Sequence, residues 1–139
     1  MKILVPVDGS AYSLKAVETA CDLAKAKAPA ALVLVAAAMQ VPELEEGVYI
    51  TEKMKAQAEA ALAKAKDVAG KCGATPETFL AVGPSVAEEI VETAKKVQAD
   101  LIVIGSRGLA GKTKSFLGST ASQVVTYAPC SVLVVKTRD

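Results

Sequence analysis

The 139-residue sequence contains no histidine and no tryptophan, and aromatic residues make up only 4% of it. Without histidine the chain has neither a Ser-His-Asp triad nor a Cys-His pair, so both of these catalytic arrangements are excluded. The three cysteines, Cys21, Cys72 and Cys130, are widely spaced and have no histidine to complete a zinc site with them. Such a sparse, odd-numbered set is typical of a reducing compartment, and we therefore expect a cytoplasmic protein.

A strong charge of either sign is also lacking. Sixteen Lys and Arg residues balance fifteen Asp and Glu residues, which gives a net charge of +1. This balance gives no support to a general nucleic-acid partner or a membrane-surface partner. The longest apolar runs are too short to cross a bilayer, and Met1 and Lys2 lead directly into a strand-like run, so we expect no signal peptide. The length fits one domain over residues 1–139.

Short apolar runs alternate with segments of helical periodicity along the whole chain. The runs predict five strands, near residues 3–7, 31–36, 78–82, 101–105 and 131–135. Alternation of this kind predicts an α/β fold, a parallel sheet with helices on both faces. Residues 39–50 show no clear period and predict a mobile loop before a long helix that has Met54 on its buried face. Ser85, with Glu88 three residues later, predicts the capped start of the following helix.

A glycine-rich stretch joins the fourth strand to the last helix. The strand ends at Gly105, Gly108 follows, and Gly118 comes directly before Ser119 and Thr120, where a helical pattern begins. Glycines let backbone N–H groups approach a ligand closely, and a helix start adds unpaired donors and the positive end of a dipole. Arg107, Lys112 and Lys114 add positive charge, with no acid between Gly105 and Gly118. The stretch therefore predicts a site for a phosphate tail, with the two lysines interpreted as solvated rather than fixed on phosphate.

An acidic residue follows the first strand, in the turn Asp8-Gly9-Ser10. In open parallel sheets, ligands lie beyond the carboxyl ends of the strands, where the strand order reverses. If the first and fourth strands are neighbours, Asp8 and the glycine loop share one crevice. Asp8 has a second interpretation, which is that it caps the helix beginning near Ser10.

Another phosphate motif overlaps the same stretch. Gly111-Lys112-Thr113 resembles the end of a Walker A loop, but Ser106 stands where that motif needs its first glycine. A P-loop ATPase also requires further strands and a magnesium-holding acid, whereas one strand remains and Lys136 follows it. Both departures disfavour this interpretation.

Three separated blocks of the sequence, residues 3–10, 101–108 and 128–135, resemble the universal stress protein family. The spacing Gly105-x-x-Gly108, nine residues, then Gly118-Ser119 is similar to the nucleotide-binding signature of the family's ATP-binding branch. The resemblance implies a three-layer, Rossmann-like fold of the adenine nucleotide alpha hydrolase type. Its open five-stranded parallel sheet has the order 3-2-1-4-5.

The resemblance also implies where ATP would bind, with Mg²⁺ or Mn²⁺ held through the phosphates. The aspartate after the first strand meets the adenosine end, the end of the second strand covers the base, and the glycine loop and helix start hold the phosphates. Val35-Ala36 replaces the His-Val pair that is common in the family at the end of the second strand. The residues expected at the site are Pro6, Val7, Asp8, Ala36, Ile104, Gly105, Arg107, Gly108, Gly118, Ser119 and Thr120.

The last strand is expected at the edge of the sheet, where an unpaired apolar strand needs a cover. The family commonly pairs two such edges, which implies a homodimer through residues 131–135. Three functions follow from these expectations. The preferred one is an ATP-binding sensor or regulator of the stress response rather than an enzyme. The alternatives are a slow ATP hydrolase and a structural homodimer that binds no nucleotide.

Overall fold

The computed structural model describes residues 1–41, 45–108 and 117–137, and only the backbone of residues 45–49. Five strands and four helices alternate along these residues. The elements are β1 (Lys2–Pro6), α1 (Ala11–Ala26), β2 (Ala31–Met39), α2 (Glu45–Lys71), β3 (Glu77–Gly83), α3 (Val86–Val97), β4 (Leu101–Gly105), α4 (Ser119–Tyr127) and β5 (Ser131–Val135).

The strands form one sheet in the order β3-β2-β1-β4-β5, and every neighbouring pair is parallel. Ile3 of β1 is in register with Leu32 of β2 on one side and Leu101 of β4 on the other, so β1 lies at the centre. The predicted α/β class and strand order are confirmed. Pro6 is the last residue of β1, where its missing N–H donor costs the sheet least.

Helices cover both faces of the sheet and give it three layers. Alternate side chains of β2 show the division: Leu34 and Ala36 pack with α1 and α2, and Val33 and Val35 pack with α3 and α4. The alternation follows from the two-residue period of a strand. None of the helices within the described ranges is long and apolar enough to span a bilayer.

Local sequence signals set the starts of two helices. Ser85 caps α3, its Oγ accepting from the N–H of Glu88 at 3.3 Å, as predicted. Ser10 caps α1, its Oγ accepting from the N–H of Ser13 at 3.2 Å. Asp8 is therefore not the residue that caps α1.

The prediction of a loop over residues 39–50 is wrong at both ends. Met39 is the last residue of β2, and α2 already begins at Glu45; residues 42–44 lie outside the described residues. The first buried side chain described in α2 is Ala58, and Met54, predicted to be buried, is 36% exposed. The turns that were missed are residues 45–50, where Glu45, Glu46 and Gly47 leave no apolar period in the sequence to mark the start of the helix.

Candidate functional site

A cavity of about 540 Å³ lies at the carboxyl ends of β1 and β4. The strand order reverses here, because β2 follows β1 on one side and β4 lies on the other. Ten of the eleven residues predicted for the site line this cavity. They are Pro6, Val7, Asp8, Ile104, Gly105, Arg107, Gly108, Gly118, Ser119 and Thr120.

The eleventh residue, Ala36, is placed elsewhere, which corrects the expectation for β2. Its side chain is 1% exposed and packs in the core between the sheet and α1 and α2. Its neighbours Val35 and Ala37 point to the opposite face and line the cavity instead. The physical reason is the alternation of side chains along a strand, which separates adjacent residues onto opposite faces.

The Asp8 turn is fixed by a small network of hydrogen bonds. Asp8 Oδ1 accepts from the N–H of Ser10 at 2.9 Å, and the Asp8 N–H donates to Ser13 Oγ at 3.3 Å. Ser13 Oγ in turn donates to the carbonyl oxygen of Ser10 at 3.0 Å. Gly9 completes the turn with a φ of +86°, a conformation that suits glycine. One carboxylate oxygen of Asp8 is thus held by the turn, and the other is directed toward Gly108.

The three glycines of the loop have three different neighbours. A Cβ at Gly108 would lie 2.7 Å from Asp8 Oδ2, and a Cβ at Gly105 would lie 2.8 Å from the backbone carbonyl of Tyr12. A Cβ at Gly118 would lie 3.3 Å from Arg107 Cα. Gly108 therefore leaves room for the carboxylate, while Gly105 allows the first turn of α1 to cross the end of β4.

A backbone hydrogen bond joins the two described ends of the segment between β4 and α4. The N–H of Gly118 donates to the carbonyl oxygen of Ser106 at 2.7 Å. Gly118 is also the N-cap of α4 and has no side chain to occupy the N–H groups of the first helical turn, which begins with Ser119 and Thr120. Those donors and the helix dipole favour an anion at this end of the cavity. Lys112, Lys114 and the Walker-like Gly111-Lys112-Thr113 lie outside the described residues.

The wall of the cavity on the α3 side is apolar. It is formed by Val35 and Ala37 of β2, Val86 and Ile90 of α3, and Ile104 of β4. Val86 and Ile90 were not expected at the site, because their helical period identifies them only as core residues. Ser13 was not expected there either, although its position five residues after Asp8, in the first turn of a helix, is a signal that the sequence contains.

Charge is sparse in the cavity. Among the lining residues that the structure describes, Asp8 is the one acid and Arg107, half-buried, the one base. Within the same described ranges, no three His, Cys, Asp or Glu residues are grouped so that they could hold a metal ion. A slot with one apolar wall, one carboxylate and one anion-binding end suits a ligand with an aromatic part, hydroxyl groups and a phosphate.

Comparison with known proteins gives a consistent result. The model of the universal stress protein family matches residues 1–136. A universal stress protein of Methanocaldococcus jannaschii is 40% identical over 139 residues, which cover 97% of this chain and 81% of that one.

Solved structures share the fold over almost the whole chain. A universal stress protein in complex with cAMP is 31% identical, with a TM-score of 0.77 and coverage of 99% of this chain and 98% of the other. The universal stress protein of Archaeoglobus fulgidus in complex with dAMP is 25% identical, with a TM-score of 0.68 and coverage of 98% of both chains.

Proposed function

Since this chain belongs to the universal stress protein family, we propose that its cavity binds an adenine nucleotide, ATP above all, and that the protein acts as a nucleotide-dependent regulator of the stress response. Residues 1–139 would form one nucleotide-binding domain. The observation that carries the proposal is the Asp8 carboxylate facing Gly108 inside a cavity that also contains the start of α4. The cAMP and dAMP complexes of similar proteins support the adenine class of ligand.

The apolar wall suits the adenine base. Val7 N–H donates to the Val35 carbonyl oxygen at 2.8 Å, and in a parallel sheet alternate residues direct their backbone groups to the same neighbour. The backbone of Ala37 is therefore directed toward the side of β1, which has already ended at Pro6. We expect the edge of the base to pair with this backbone, between the side chains of Val35 and Ile104.

The remaining polar groups of the cavity suit the sugar and the phosphates of the nucleotide. Asp8 has one carboxylate oxygen beyond the bond to Ser10, and a carboxylate oxygen accepts well from a ribose hydroxyl. The first-turn N–H groups of α4 and the hydroxyls of Ser119 and Thr120 suit phosphate oxygens. Arg107 lines the same cavity and adds a positive charge, which suits a phosphate.

The donor set fits Mg²⁺ or Mn²⁺ only as an ion bound through the nucleotide. Mg²⁺ is commonly held by substrate phosphates with few protein ligands, and the hydroxyls of Ser119 and Thr120 are oxygen donors at the phosphate end. Bound in this way, the ion would neutralise part of the triphosphate charge.

We propose binding with at most slow hydrolysis. The one carboxylate among the described lining residues is Asp8, and its Oδ1 already accepts from Ser10. Arg107 is the group that favours the alternative, a slow ATP hydrolase, because a cation can stabilise the charge of phosphoryl transfer. A single-turnover assay with labelled ATP separates the two, and turnover faster than about one per second would contradict our preference.

Among the described strands, β5 has a neighbour on one side only, which supports a homodimer. The N–H of Ser106 donates to the Val135 carbonyl oxygen at 2.9 Å, so Val135 directs its backbone groups toward β4. Val134, one residue earlier, directs its N–H away from β4, and Leu133 is 38% exposed. We propose that two copies pair along residues 131–135 and that nucleotide occupancy alters this assembly's surface. A cytoplasmic location stays a prediction from the cysteine content.

Thermal unfolding with and without Mg-ATP tests the nucleotide proposal. A ligand at 100 times its Kd stabilises the native state by about 2.7 kcal/mol, which is a rise of several degrees in Tm. GTP and inorganic triphosphate serve as controls for the base and the phosphates. An unchanged Tm at millimolar ATP would contradict the proposal and favour the structural homodimer without nucleotide.

A further inference from the structure

Two thiols lie beside each other between α1 and the end of α2, outside the nucleotide cavity. Cys21 is on the buried face of α1 and is 2% exposed. Cys72 directly follows α2 and packs, half-buried, against the same hydrophobic core. Although they are 51 positions apart in the sequence, both pack in the same cluster, and Cys72 lies close enough to raise the pKa of Cys21. The fold therefore brings together two thiols whose spacing in the sequence does not predict that they are close.

The turn that carries Cys72 lies at the surface, with Gly70 and Gly73 exposed. Three backbone hydrogen bonds hold it: the Cys72 N–H donates to the Ala69 carbonyl oxygen at 3.1 Å, the Gly73 N–H donates to that of Gly70 at 2.9 Å, and the Ala74 N–H donates to that of Ala69 at 3.0 Å. A Cβ added at Gly70 or at Gly73 would meet no atom of the described residues within 4 Å. A disulfide needs a sulfur–sulfur distance of about 2 Å, which is shorter than a hydrogen bond. Formation of the disulfide therefore requires Cys72 to move toward Cys21, and no packed neighbour of Gly70 or Gly73 among the described residues opposes a shift of the turn.

We propose that Cys21 and Cys72 are a site of reversible oxidation, which a peroxide converts to an intramolecular disulfide. Cys72 reacts first because it is the more exposed thiol. Its sulfur attacks one oxygen of hydrogen peroxide, the O–O bond breaks, and the products are a sulfenic acid and water. The sulfur of Cys21 then attacks the sulfur of Cys72, the S–O bond breaks, and the leaving hydroxide takes the thiol proton as a second water.

The sum of the two steps balances. Two thiols lose two electrons and two protons, one S–S bond forms, and one hydrogen peroxide becomes two waters. A dithiol reductant reverses the reaction by thiol–disulfide exchange. Reversal is what separates this site from irreversible oxidation to sulfinic acid.

We expect the disulfide to form slowly at this site. Burial and the neighbouring Cys72 raise the pKa of Cys21 to about 12, with Lys25 acting in the opposite direction and Asp22 in the same one. Its thiolate is therefore scarce at neutral pH, and the closing attack is slower than in a redox enzyme. Slow closure suits a modification that accumulates during prolonged exposure to an oxidant.

Closing the disulfide has a measurable effect on stability. It ties α1 to the end of α2 and closes a loop of 51 residues in the unfolded chain. A loop of that length restricts the unfolded state strongly, and we expect the oxidised form to melt of the order of 10 °C higher than the reduced form.

The experiment treats the reduced full-length protein with hydrogen peroxide. We expect free thiols to fall from three to one, and the intact mass to fall by two hydrogens. Trypsin should then release the peptides 16–25 and 72–95 as one linked species, because cleavage sites follow Lys15, Lys25, Lys71 and Lys95. Dithiothreitol should restore all three thiols and the lower Tm.

Two variants control the result. Cys130→Ala removes the third thiol and should leave the reaction intact, whereas Cys72→Ala should abolish the linked peptide while the reduced protein still unfolds cooperatively. Persistence of all thiols, gain of oxygen atoms at Cys72 without a link, or a disulfide between two chains would each overturn the proposal.

Discussion

Alanine at Gly108 should weaken nucleotide binding and alanine at Gly105 should lower stability, although the two glycines are only three residues apart. At Gly108 the new methyl group meets the carboxylate of Asp8, with 2.7 Å between Cβ and Oδ2. At Gly105 it meets the carbonyl carbon and oxygen of Tyr12, both at 2.8 Å. The first obstacle is the end of an exposed side chain, and the second is helical backbone packed on the sheet.

The magnitudes follow from what has to move. In Gly108→Ala the new methyl group displaces the Oδ2 atom of Asp8, and the carboxylate loses its hydrogen bond to the ligand. Loss of a charged hydrogen bond of this kind costs about 1.5–3 kcal/mol, or roughly 10- to 100-fold in nucleotide affinity. In Gly105→Ala the backbone of α1 must shift, and such overpacking costs about 1–3 kcal/mol of unfolding free energy.

Isothermal titration with ATP and thermal unfolding of the unliganded protein separate the two effects. Gly108→Ala should bind ATP more weakly and melt close to wild type, and Gly105→Ala should melt several degrees lower. In an Asp8→Ala background, Gly108→Ala should have little further effect on affinity, because the group it displaces is gone. Equal losses of affinity in both backgrounds, or a Gly108→Ala protein that binds as wild type, would refute the reasoning.

Three further substitutions test other parts of the structure. Ser13→Ala removes the hydroxyl that bridges the Asp8 N–H and the Ser10 carbonyl, and we expect a loss of about 1 kcal/mol in unfolding free energy together with weaker ATP binding, measured by urea unfolding and titration. Val134→Pro removes an N–H directed to the free edge of the sheet, and sedimentation should then show monomers at concentrations where the wild type is dimeric. Burial raises the pKa of Cys21 from 9.0 to about 12 in the folded protein. The buried thiol therefore makes its full contribution to the free energy of unfolding below pH 9, and this contribution is lost as the pH rises toward 12. Under reducing conditions the wild type should therefore lose up to about 1.4 kcal/mol per pH unit above pH 9 relative to Cys21→Ala, and parallel pH profiles would contradict the shift.

Much of the fold could be predicted because its signals are local. Ser85 and Glu88 identify a helix start within four residues, and short apolar runs between helical segments identify buried parallel strands. The order of those strands came from a family resemblance, since periodicity alone does not say which strands are neighbours. Once β1 and β4 are adjacent, Asp8 and the glycine loop must share one edge of the sheet.

The errors concern which face a residue occupies. Residues 31–38 form an unbroken apolar run, so the sequence contains no polar alternation to show that Val35 and Ala37, rather than Ala36, face the cavity. The close contact between Gly105 and Tyr12 could not be predicted either, because Tyr12 belongs to a helix that lies next to Gly105 only in the folded protein. The face of the sheet that a side chain occupies and the close approach of two elements are set by tertiary packing, and a pattern of residue types does not predict them.

The orientation of a bound nucleotide follows from the placement of two unlike charges. A phosphate beside Asp8 would bring two anions together, and at about 4 Å this costs roughly 4 kcal/mol with an effective dielectric constant near 20. The first turn of α4 offers the opposite field, with N–H donors and the positive end of the helix dipole. In the proposed complex a neutral base would gain little from either field and would be held instead by the apolar wall of Val35, Ala37 and Ile104. The triphosphate would therefore lie toward Ser119 and Thr120, and the sugar would be the part of the ligand that meets the carboxylate.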